Sequence, residues 1–132
     1  MQDDMFTLEE ANSMLPWLEE TFQRLDRFRG EYASLQERLS EAVQGSGAEA
    51  DTGNGDESAL AKATADRLVQ QIEDGVEEIL DRGIIVRQVE KGLVDFPSLR
   101  EGREVHLCWI RGEFEIGFWH DTDRGFAHRE PL

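Results

Sequence analysis

The residues best equipped for chemistry crowd into one stretch near the end of the chain: His106, Cys108, Glu113, Glu115, His120, Asp121 and Asp123. Imidazole, thiolate and carboxylate are the usual ligands of zinc and related metals, so His106, Cys108, His120 and Asp121 are the candidates for a divalent ion. Whether they converge depends on a hairpin register. Strands over 104–110 and 114–120 would turn across Arg111-Gly112-Glu113. A two-residue loop at Gly112-Glu113 sets position 106 opposite 119 and 105 opposite 120, which puts His106 and His120 on opposite faces. A three-residue loop at 111–113 pairs 106 with 118 and 108 with 116. His106, Cys108 and His120 then share a face, because a one-residue slip flips every side chain. The two-residue register also aligns Val105, Leu107, Trp109, Ile116 and Phe118 as one apolar face, which a core requires. It is the expected register, and it scatters the ligands.

A second group is defined by one odd residue. Asp95 interrupts the apolar run around Val94 and Phe96. Simple alternation would leave it on a solvent face; burial would require a partner, with Arg129 or Arg103 in reach. Asp95, Trp119, His120 and Arg129 are therefore the candidate polar cluster, lying between the sheet end and a returning tail. An arginine fork or an imidazole would satisfy the carboxylate. The plainer alternatives are a core tryptophan at 119 and a small buried hydrophobe at Cys108. A nucleophilic cysteine would need a depressed pKa and a nearby base. Asp121, Asp123 and Gly125 faintly resemble a calcium loop, but the third acidic ligand and closing glutamate are missing, and an Asx turn is expected. The sequence has no glycine-rich phosphate loop, no GxSxG elbow and no HExxH helix, and no catalytic residue is assigned.

The elements that must position these residues follow from periodicity. Thr7 and Glu10 form a capping box. Apolar residues then recur at helical spacing through Leu8, Ala11, Leu15, Leu18, Phe22, Leu25, Tyr32, Leu39 and Val43. Pro16 disfavours helix at Leu15, which predicts a short first helix, a break near 13–16 and a long second helix. Residues 44–57 hold four glycines, four acids and no large apolar side chain, and read as a flexible loop. A second stripe runs through Ala61, Ala65, Leu68, Ile72, Val76 and Ile79, with Gly75 on its seam and Gly83 placed as a C-terminal cap. After Gly83 the period becomes two. Strands are expected over 84–89 and 93–96, the latter ended by Pro97, before the hairpin already described; residues 121–132 read as loop.

The 132 residues suffice for about one domain. Net charge is −15, concentrated in residues 1–83, where 20 acids face 7 bases, and only 2 of the 14 bases are lysine. Such a surface suits hydration in concentrated salt, so a halophilic source competes with an ordinary acidic protein. It also repels phosphate backbones, which argues against nucleic acid as a partner. No apolar run is long enough to span a membrane. A lone cysteine and an acidic N-terminus without a secretory pattern suggest the cytoplasm.

The strings GLVDFP (92–97), LCW (107–109), GE (112–113), WH (119–120) and GFAHREPL (125–132), with the opening FTLEEANSMLP, resemble domain of unknown function 2203, a prokaryotic family. The tail departs from the usual GFAGRQPL at His128 and Glu130. The resemblance covers both ends of the chain and implies an architecture but no activity.

The expectation is an α+β chain: one domain over 1–132, with an antiparallel helical hairpin in 1–83 packed with an antiparallel sheet of about three or four strands, and a loop tail, in 84–132. The function expected is a non-catalytic interaction or assembly module that self-associates through its helices, or that takes another helical partner. Its alternatives are a small-ligand or metal-binding domain using the sheet end and tail, and an enzyme. No cofactor is assigned, a divalent metal being the one considered.

Overall fold

A computed structural model of the chain describes residues 5–45 and 54–132. Helices α1 (Leu8–Ser13), α2 (Leu15–Gly45) and α3 (Asn54–Asp81) precede a five-stranded antiparallel sheet, an α+β arrangement. The strands are β1 (Ile85–Gln88), β2 (Leu93–Arg100), β3 (Arg103–Ile110), β4 (Phe118–Asp121) and β5 (Glu130–Pro131), lying side by side in chain order. The loop expected over 44–57 is narrower: positions 44–45 and 54–57 are helical, and the remainder lies outside the described residues. Backbone hydrogen bonding carries a helix's last turn without an apolar stripe, which is why composition misplaced both helix ends.

Two compact units divide the chain, one of residues 24–75 and one joining the N-terminal 23 residues to 76–132. In the first, Leu35, Ala65 and Leu68 form a small core against which Phe28, Tyr32, Leu39 and Ala61 pack. Leu25 meets α3 at Gly75, where an added Cβ would lie 2.5 Å from the leucine Cδ2. Early residues of α2 thus meet late residues of α3, and the two helices run in opposite directions.

In the second unit the capping box of α1 is formed, Thr7 Oγ1 accepting from the Glu10 backbone and Glu10 Oε1 from that of Thr7. Met14 separates α1 from α2, so Pro16 falls in the first turn of α2, where its missing N–H is no loss. Ala11, Leu15, Leu18, Phe22 and Ile79 are buried with Val94, Phe96, Val105, Leu107, Trp109, Ile116 and Trp119. The Phe6 ring stands edge-on to Phe96 at 5.2 Å, which identifies the face of the sheet turned to the N-terminal segment.

Three strand expectations are corrected. The sheet has five strands, the fifth coming from the tail, where Glu130 and Pro131 pair with Trp119 and Phe118. Pro97 does not end β2; it pairs with His106, and its carbonyl accepts from the Phe6 N–H at 2.7 Å. Its backbone nitrogen and oxygen therefore point away from β3, on the side β1 has already left, and the missing donor breaks no ladder bond. Finally, neither hairpin register holds: His106 lies opposite His120, Leu107 opposite Trp119 and Cys108 opposite Phe118. Residues 111–117 form the connection instead of a tight turn. The Glu113 carboxylate accepts from the Ile110 N–H, Trp109 Nε1 donates to the Glu113 carbonyl, and the Ile116 N–H donates to Asn12 Oδ1. Those bonds hold 113–116 off the ladder and delay β4 to Phe118.

Candidate functional site

Alternation along β2, β3 and β4 sorts the side chains. Val94, Phe96, Val105, Leu107, Trp109 and Trp119 share the face that meets Phe6, and Asp95, His106, Cys108, Phe118 and His120 share the other. The second face holds a buried polar centre: Asp95 and His120 are 1% exposed and His106 6%. Asp95 Oδ1 lies 3.0 Å from His120 Nε2, and Asp95 Oδ2 lies 3.7 Å from His106 Nδ1. The two imidazoles meet edge to face with centroids 5.5 Å apart. One donor atom from each of the three residues lies within 4.8 Å of the other two, and no other such group occurs among the described residues.

Arg87 completes the centre from β1. Val86 pairs with Val94 and Gln88 with Leu93, so Arg87 is the extra residue of a bulge, a feature that bends a strand locally. Its Nε donates to Asp95 Oδ2 at 2.7 Å, and its Nη2 lies 3.4 Å from His106 Nδ1. Sequence reasoning did not single out Arg87. A β1–β2 hairpin turning tightly at Lys91-Gly92 would have set it opposite Phe96, on the other face, and only the irregular register brings it to Asp95.

The donor and acceptor roles are constrained. His120 Nδ1 lies 2.8 Å from the Asp121 carbonyl oxygen, which only accepts, so Nδ1 carries a hydrogen. Nε2 then faces a carboxylate oxygen, a second acceptor. The contact is favourable only if something positive lies along it, a shared proton or a metal ion. His106 differs. Burial lowers its pKa, the Asp95 charge opposes this, and Arg87 and His120 lower it further. It is a neutral ring whose Nδ1 lone pair takes the Arg87 N–H. Cys108 lies directly opposite Asp95 on β3. Burial first, then the Asp95 charge, pushes its thiol up to about 12, so it remains a thiol, with Arg129 pulling the other way.

Of the cluster Asp95, Trp119, His120 and Arg129, only Asp95 and His120 touch through polar atoms. Trp119 lies on the opposite face, where the Arg100 guanidinium stacks 4.8 Å from its ring. Arg129 bonds both carboxylate oxygens of Glu113 at 3.0–3.1 Å and stacks between Phe118 and Phe126. Arg103 pairs with Asp121, which is therefore turned away from the imidazoles. His106 and His120 thus come together, with Asp95 as the carboxylate in place of Asp121, and Cys108 stands beside them as a buried thiol.

A family model described as an uncharacterized conserved protein, DUF2203, matches residues 4–132, and the chain belongs to that family. No curated protein and no solved structure matches.

Proposed function

We propose that this member of the family binds a divalent transition-metal ion through Asp95, His106 and His120. One observation carries the reading: both ring nitrogens of the buried His120 face acceptors, one of them the Asp95 carboxylate. A metal at Nε2 resolves that conflict, and the Nδ1 hydrogen bond to a carbonyl is the second partner that metal-bound imidazoles usually have. Asp95 turns one oxygen to each ring, Oδ1 to His120 Nε2 at 3.0 Å and Oδ2 to His106 Nδ1 at 3.7 Å, so its carboxylate lies between the two imidazoles that an ion would join. Two imidazoles and one carboxylate suit zinc, iron, cobalt or nickel better than magnesium or calcium. Three protein ligands also leave a fourth position for water or a small ligand, as in sites that do not close around the metal.

The chelator-treated protein is expected to take up one equivalent of cobalt(II) with the visible absorption of a low-symmetry site, and zinc should displace it. Asp95→Asn, His106→Ala and His120→Ala should each abolish uptake while circular dichroism reports a folded chain. Failure of both ions to bind the wild type and variants freed of the Arg87 charge would leave the centre purely structural.

A second reading is self-association through the helices, on which Leu60, Val69 and Leu80 of α3 keep large apolar side chains exposed. Sedimentation at high micromolar concentration is expected to show a dimer or larger species; a strict monomer would remove this reading.

A further inference from the structure

We infer that Arg87 is an internal cation that occupies the metal position in the ion-free protein and must swing out for metal to enter. The inference rests on the metal reading above and concerns how the same site is controlled. Its warrant is a coincidence of partners. The Arg87 guanidinium bonds Asp95 Oδ2 at 2.7 Å and approaches His106 Nδ1 at 3.4 Å. His106 Nδ1 and the Asp95 carboxylate, here through the oxygen that does not face His120, belong to two of the three residues the ion needs, and their polar atoms would be expensive to bury unpaired. A guanidinium cannot lose its charge, so it supplies the positive partner permanently until another cation replaces it.

The geometry lets it leave. The Asp95 side chain is 2% exposed, whereas that of Arg87 is 43% exposed, so the guanidinium reaches inward from solvent and is not enclosed. Its backbone belongs to a bulge in a four-residue strand, so no residue of β2 sits opposite it. Rotation about the side-chain bonds returns the charge to water without disturbing β2 or β3. Metal and arginine cannot share the single lone pair of His106 Nδ1, and both held on one carboxylate they would set two positive charges side by side. The competition also sets a threshold. An ion that binds carboxylate and imidazole weakly would not displace the guanidinium, whereas one high in the first-row affinity order would.

The test is a zinc titration by calorimetry on the chelator-treated wild type and on Arg87→Ala, Arg87→Gln and Asp95→Asn. Removing the competitor is expected to tighten zinc binding roughly tenfold or more, the equivalent of one displaced polar contact. Arg87→Gln, which keeps much of the length without the charge, should behave like Arg87→Ala and carries the test if the alanine variant is poorly folded. Asp95→Asn should not bind. In the wild type, the Arg87 Nε–H resonance should be protected from exchange without metal and lose that protection as zinc is added. Equal or weaker zinc binding in both Arg87 variants, with the wild type still binding, would overturn the competition and leave the metal reading intact. Absence of binding in the wild type and in both Arg87 variants would overturn the metal reading itself.

Discussion

His106 lies between groups that pull its proton in opposite directions, and burial decides the outcome. Its folded pKa falls below the ordinary 6.5 because desolvation penalises the imidazolium, with Arg87 and His120 adding to that and Asp95 resisting. The unfolded chain then binds more protons than the folded one in the window just below 6.5. His106 therefore contributes stability that is complete above that pH and is lost as pH falls through the window towards the lowered value. In metal-free protein, unfolding midpoints in denaturant should decline as pH drops from about 7 to about 5, and His106→Gln should show a shallower decline. An identical slope in the variant would mean that His106 carries none of the effect. At this scale the sequence was partly legible. Asp95 stood out as a polar residue in an apolar strand, and His106 and His120 as potential ligands. Their meeting was hidden because a seven-residue connection, held by Asn12 from α1, replaced a tight turn; no local pattern near 111–117 encodes that bond.

At the scale of elements, Gly75 shows what a single missing Cβ does. An alanine in a helix interior is worth up to about 1 kcal/mol over glycine. Here the added methyl would meet the fully buried Leu25, and overpacking of this kind typically costs about 1–3 kcal/mol. Gly75→Ala is expected to destabilise by about 1 kcal/mol on balance. Combining it with Leu25→Ala should cost less than the sum of the two changes, as denaturant unfolding of the four species would report. Strict additivity would place the two residues out of contact. The helices were the most legible elements because their stripes run for many turns and Thr7, Pro16 and Gly83 punctuate them. The strands were less so. Pro97 looks like a terminator in one dimension, yet the Phe6 amide satisfies its carbonyl from outside the sheet.

Across the whole molecule the dominant physical fact is charge. With 20 acids against 7 bases in residues 1–83, mutual repulsion opposes folding, and salt screens it over distances of about 10 Å already at 0.1 M. The melting temperature is expected to rise from low to molar potassium chloride, and an unchanged value would show that the acids are spaced too widely to matter. No helix among the described residues is long and apolar enough to cross a membrane.

The two outer strands of the sheet carry a consequence for association. A flat outermost strand exposes unpaired backbone groups and invites another chain to extend the sheet, the first step towards aggregation. Here one border is interrupted by the bulge at Arg87, and the other is only two residues long and includes Pro131, which has no amide hydrogen to offer. Neither border is a good template for a sixth strand. Copies of this chain that come together are steered away from stacking strand against strand, and a soluble assembly has to use side chains instead.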